Sequence, residues 1–189
     1  ALTVVAVALY FQPMLLFVAM AELLCALFSL VLCGVFKKAV EYRDENALEP
    51  ALDRIMEMTG WLADPTLAGR RVLVKPNLLT DRVPEQAVTT HPALVRQVIR
   101  RLKACGAHVT VGDSPASAAN LARVWERSGI GAVCAEENVP LIALEHAGAE
   151  TFTRDGFTFP IARPVLEAEL IVNLPKVKSH SLTLLTAAV

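Results

Sequence analysis

The chain has almost no net charge. Its 18 Lys and Arg stand against 19 Asp and Glu, leaving −1 at neutral pH over 189 residues. That sets aside a nucleic-acid binder, because such proteins draw affinity from basic surfaces that neutralise phosphates. Cysteine is scarce too. Cys25, Cys33, Cys105 and Cys134 are the four, and no two form a C-x-x-C pair. Neither a disulfide framework nor a complete metal or cluster site can be read from that spacing. Cys105 and Cys134 read as small core residues. There is no internal repeat and no low-complexity tract. G-x-S-x-G, the P-loop, H-E-x-x-H and the spaced glycines of a dinucleotide site are all missing, so no established nucleophile or phosphate-cradle motif is present.

Charge is nearly absent from residues 1–36, where Glu22 stands alone. Met14 to Phe36 is 23 residues, about 35 Å as a helix, which spans a hydrocarbon core of about 30 Å. The run is too long for a signal-peptide core and no basic region precedes it. Lys37-Lys38 follow at once, which by the positive-inside rule places the following domain in the cytoplasm. Glu22 near mid-span would need a helix partner or a proton. The reading is therefore a membrane segment within residues 1–38, contacting the membrane through 14–36, and an α/β domain over 39–189. A buried hydrophobic helix, or a leader foreign to the domain, is the alternative. The chain begins without Met and stops inside an apolar run at Val189, so a fragment open at both ends is expected.

After Lys38 the character changes. Ala39–Tyr42 reads as a short edge strand. Leu48, Leu52, Ile55, Met56 and Trp61 then recur at helical spacing. Arg71–Lys75 is the first clear strand, and Thr80–Thr90 a loop of a length that is usually functional or mobile. Pro92 opens a helix whose apolar stripe is Leu94, Val95, Val98, Ile99 and Leu102, with Arg96, Arg100, Arg101 and Lys103 on the wet face and Gly106 as its stop. His108–Gly112 is the second strand, making a βαβ unit. Helical pieces follow over Ala118–Ser128 and Ala132–Asn138, then a third strand over Pro140–Glu145. Asp155-Gly156 centres a hairpin in Thr151–Phe159. A short helix or turn over Ile161–Glu169 leads to a strand at Leu170–Val172. The fold class is α/β, three-layer, with a mostly parallel sheet flanked by helices and a hydrophobic helix before it.

Three of the strands end in polar groups. The first stops at Lys75, Pro76 and Asn77, and the second at Gly112, Asp113, Ser114 and Pro115. The last runs into Asn173, Lys176, Lys178 and His180. In open α/β sheets, that end is where ligands bind. Lys75, Lys176 and Lys178 offer positive charge, His91 and His180 proton transfer, and Asp113 a carboxylate. Asn77, Thr90, Ser114 and Asn173 offer hydrogen bonds. Such a set suits a small carboxylate- or phosphate-bearing ligand. Each has a plainer reading. Lys75 snorkels to solvent, Asn77 caps a turn, His91 satisfies backbone, and Asp113 caps the next helix. His108 and His146 have no partner in register.

Four motifs occur in order: Val72-Leu-Val-Lys-Pro-Asn-Leu78, Thr89-Thr-His-Pro92, Val111-Gly-Asp-Ser-Pro115 and Ile171-Val-Asn-Leu-Pro-Lys-Val-Lys-Ser-His180. As an ordered set they resemble domain-of-unknown-function family 362, from about Glu41 to Val189. Thr183 and Thr186-Ala187-Ala188-Val189 are similar to the start of that family's next segment. The resemblance implies an α/β domain of unassigned activity. It also implies, for many members, [4Fe–4S] clusters on cysteine motifs beyond the point where this chain stops. No cofactor is expected within residues 1–189. Two functions remain: an enzyme domain acting on a small anion, or a membrane-tethered accessory module without chemistry of its own. The domain is expected to be anchored to a membrane on its cytoplasmic side, or otherwise cytoplasmic.

Overall fold

A computed structural model describes residues 45–60, 65–116, 120–176, 178–180 and 184–186. The membrane segment expected at 14–36 and the edge strand at 39–42 lie outside them. Among the described residues, no helix is long and apolar enough to cross a membrane.

The first helix, α1 (Glu45–Thr59), carries Leu48, Leu52 and Met56 one turn apart and buries all three. β1 (Arg71–Pro76) follows a short 3-10 turn. Pro92 sets the first turn of α2 (Pro92–Ala104), which buries Val95, Val98, Ile99 and Leu102. The helix ends where Gly106 takes φ +78, a left-handed position that favours glycine, and β2 (His108–Asp113) begins two residues later. α3 (Leu121–Arg127), capped by Asn120, and α4 (Ile130–Glu136) lead to β3 (Leu141–Ala143). The hairpin of β4 (Ala149–Arg154) and β5 (Phe157–Ala162) turns at Asp155 and Gly156. Their φ values of 52 and 81 make the type I′ turn whose twist matches the flanking strands. α5 (Arg163–Glu167) then brings the chain to β6 (Leu170–Leu174). A small antiparallel pair, β7 (Lys178–His180) and β8 (Leu184–Thr186), comes last.

The core sheet has the order β3-β2-β1-β6, and every neighbouring pair in it is parallel. The fold is thus α/β on a parallel four-stranded sheet. The chain steps outward from β1 to β2 to β3, then returns to lay β6 on the other side of β1. That return is a reversal of strand order, and it lies between β1 and β6.

The two faces of the sheet differ. Val72, Val74, Val109, Val111 and Val172 share one face by register and are all buried. Their valine side chains pack well on a pleated surface, and this face holds the core beneath α2. The other face carries Arg71, Leu73 and Lys75 of β1 with Ile171 and Asn173 of β6. Near its amino end it meets α5, where the Arg71 Nε donates to the Glu167 carbonyl at 2.9 Å. Toward the carboxyl end it opens, with Ile171 at 41% exposure and Asn173 exposed.

Several boundaries differ from the sequence reading. β1 and β2 each run one residue further, to Pro76 and Asp113, and β3 is shorter, giving way to a 3-10 turn at Leu144–His146. α4 starts at Ile130 rather than Ala132. Arg101 does not take the wet face. It is 9% exposed and clamps α2 to α1 through Asp53 (2.7 Å) and the Glu49 carbonyl (2.9 Å), while Gln97 of its own helix accepts a further bond at 2.6 Å. The helical stripe pointed it outward, but α1 lies over that side and supplies the carboxylate that makes burial tolerable.

Candidate functional site

Because β1, β2 and β6 are parallel neighbours, their polar carboxyl ends fall along one edge of the sheet. Lys75 and Asp113 meet there. The Lys75 Nζ lies 2.7 Å from the Asp113 Oδ1, with side-chain exposures of 41% and 5%. The other oxygen, Oδ2, accepts from the Leu78 N–H at 2.6 Å. Asp113 is therefore not the cap of the next helix, since Asn120 fills that role at α3. It ties the end of β2 to the chain leaving β1, a long-range pairing that a strand-end residue followed by Ser-Pro does not announce.

Thr90 makes a second tie. Its Oγ1 accepts from the Asn77 N–H at 2.8 Å and donates to the Leu174 carbonyl at 2.7 Å, while its own N–H donates to the Asn77 carbonyl at 3.0 Å. One hydroxyl thus joins the carboxyl ends of β1 and β6 on either side of the strand-order reversal. His91 follows as the N-cap of α2, its Nδ1 accepting from the Ala93 N–H at 3.3 Å, which keeps the proton off that nitrogen.

On the open face, Asn173 is the register partner of Lys75. Continuing the β1–β2 register puts Gly112 on the other side of Lys75. Gly112 has a packing reason to be glycine. A Cβ there would come within 2.8 Å of the Ile142 Cγ1 and 3.2 Å of the Leu144 Cδ2. Ser114 is exposed just past Asp113. Lys176 is half-buried, and burial lowers its ammonium pKa, so a desolvated cation sits just past the end of β6. Lys178 and His180 lie on β7 by their backbone, and their side chains are outside the described residues. The structure thus brings Lys75 to Asp113 and Asn173, and Asn77 to Thr90.

A cavity of about 420 Å³ lies elsewhere, at the amino ends of β1 and β2, lined in part by Arg71, Leu73, Lys103, Val109, Pro140 and Pro164. Its cations are committed to protein acceptors, Arg71 to Glu167 and Glu169 and Lys103 to the Glu137 carbonyl.

Among the described residues, no three His, Cys, Asp or Glu side chains converge as a metal site. The Cys134 thiol is buried and pushed up to about 11, opposing the thiolate that cluster ligation needs. The described residues do not fit an iron–sulfur cluster.

The described residues form an open parallel α/β sheet with polar groups gathered at its strand-order reversal, the place where ligands bind in sheets of this kind. The chain belongs to the family described as Domain of unknown function (DUF362), which it matches over residues 72–189. It is also 30% identical over 147 residues to the thylakoid-associated protein sll1697 of Synechocystis sp., an overlap of 77% of this chain and 45% of that protein. The chain therefore spans about half the length of the curated relative it matches. No solved structure matches it.

Proposed function

We propose that this domain binds a small carboxylate- or phosphate-bearing ligand at the carboxyl ends of β1 and β6, and that it works tethered to a membrane. The observation that carries the ligand is the pairing of Lys75 with Asn173 on the open face at the point where strand order reverses. Lys75 has three N–H donors, and Asp113 orients the ammonium through one of them while the side chain stays 41% exposed. Asn173 adds an amide beside it. The half-buried Lys176, just past the end of β6, adds a second lysine to this reading. Lys178 and His180 belong to this reading through their position on β7, and Ser114 through its exposure. In it His91, Asp113 and His180 remain the candidates for proton transfer, although the contacts of Asp113 are those of a positioning residue.

Titration calorimetry of phosphate and small dicarboxylates, against the native chain and the variants Lys75→Ala and Asn173→Ala, tests the proposal. Binding that weakens steeply with salt and drops roughly tenfold in Lys75→Ala is expected. Equal binding by all three proteins refutes it.

The tether draws on the apolar run at 14–36 and on a thylakoid-associated relative. A three-layer arrangement and an N-terminal membrane helix are part of the same reading. An accessory module without chemistry is the second possibility, favoured by that relative's name. Vesicle co-flotation of the full chain, but not of a chain lacking residues 14–36, is the expected result for the tether. Iron–sulfur clusters, implied for many family members, would belong to a C-terminal region outside this sequence.

A further inference from the structure

Three of the seven phenylalanines stand on one face of the β4–β5 hairpin. Phe152 and Phe159 are direct cross-strand partners with ring centroids 6.4 Å apart, and Phe157 and Ile161 flank Phe159 on the same face. Phe152, Phe157 and Phe159 are 37%, 76% and 40% exposed. The opposite face is built from Thr151, Thr153, Thr158 and Pro160. The hairpin pairs with no strand of the four-stranded sheet. An isolated two-stranded hairpin is marginal in water, and exposed rings on one face worsen its position. The exposed ring surface is roughly 300 Å², at the size where apolar patches on monomers are often functional. Charges sit at its edges, Arg154 across from Phe157 and Glu150 across from Ile161.

Two observations select the occupant. A stable complex between two copies buries about 800 Å² per partner, well beyond this patch. The chain outside the described structure carries the 23-residue apolar run, which ends at Phe36, eight residues before Glu45. Eight residues reach no more than about 30 Å, so a membrane-held run keeps the domain at the bilayer surface at a high effective concentration. A patch too small to bind lipid from solution is sufficient at that distance.

We propose that the phenylalanine face of the β4–β5 hairpin is a membrane contact. Phe152, Phe157 and Phe159 enter the boundary between headgroups and acyl chains, and Arg154 lies at the level of the lipid phosphates. The contact holds the domain in one orientation on the bilayer. This rests on the membrane-tether part of the reading above and is independent of the anion site.

The test uses the full chain in phospholipid vesicles brominated near the headgroup, with Phe157→Trp and, on the threonine face, Thr158→Trp. Both positions are exposed, so folding is not at stake. The fluorescence added to the background of Trp61 and Trp125 is expected to shift to the blue and be quenched in Phe157→Trp, and to be unaffected in Thr158→Trp. Co-flotation without quenching in Phe157→Trp overturns the hairpin contact and leaves the tether standing. Equal quenching of both variants overturns the oriented face. No flotation at all overturns tether and contact together. A blue shift in Phe157→Trp that follows protein concentration in detergent, without lipid quenching, assigns the face to a protein partner and refutes the proposal.

Discussion

Removing Asp113 separates two roles that share one carboxylate. In Asp113→Ala the Leu78 N–H loses its acceptor at 2.6 Å, and Leu78 is 1% exposed, so water cannot readily replace it. A buried donor left without a charged acceptor costs about 2–3 kcal/mol. The Lys75 ammonium also loses its partner, but at 41% exposure it is largely rehydrated, and that part is worth under about 1 kcal/mol. Asp113→Asn keeps an oxygen for Leu78 but puts an amide NH2 where the half-exposed Lys75 ammonium had its acceptor. Urea unfolding should therefore show Asp113→Ala about 2–3 kcal/mol less stable than native and Asp113→Asn about 1 kcal/mol or less. For a chain of this length the alanine variant should melt lower by roughly 5–10 °C. Equal losses in the two variants would mean that the ion pair, not the backbone bond, dominates, and the assignment of Asp113 as a strand-end tie would fail.

Gly112→Ala forces a Cβ to 2.8 Å from Ile142 and should cost about 1–3 kcal/mol in thermal unfolding, with most of the loss recovered by adding Ile142→Ala. A loss that Ile142→Ala leaves untouched would point to backbone strain instead. Thr90→Val keeps the shape but orphans the Asn77 N–H and the Leu174 carbonyl, so about 2 kcal/mol of stability and faster hydrogen exchange at Asn77 are expected. Cys134 should resist alkylation in the folded chain while Cys105, half-exposed, reacts, as peptide mapping after iodoacetamide would show. The same thiol gives a pH signature. Its folded pKa is raised from 9.0 to about 11, so the native chain holds a proton that the unfolded chain has begun to lose. That contribution is whole below about pH 9 and fades as pH climbs toward 11, and Cys134→Ala should flatten this decline.

The sequence made β1 and β2 legible to within a residue because buried parallel strands are apolar runs closed by Gly, Pro and Asn. The hairpin was legible because Asp155-Gly156 admits few turns besides the one it makes. Local chemistry wrote those elements. It did not write partners. Nothing near Asp113 names Leu78, 35 residues away, and nothing near Thr90 names Leu174. Arg101 followed its helical stripe onto the wrong side because the carboxylate that receives it belongs to α1. The order of the polar strand ends was readable, and so was the edge they share. Which of them touch depended on the sheet order β3-β2-β1-β6, which no periodicity encodes.

The Thr90 tie has a consequence for change over evolutionary time. Asn77 and Thr90 are bonded to each other through both backbone and hydroxyl, so the excursion between them leaves the sheet and returns to the same spot. A loop closed at its neck can lengthen, shorten or alter its tip around Arg82–Gln86 without shifting β1 or β6, since doubling a loop's length adds only about 0.6 kcal/mol of closure entropy. The chain thus carries an exchangeable segment beside a fixed edge. A dozen residues can be rewritten there while the strands beneath them stay still.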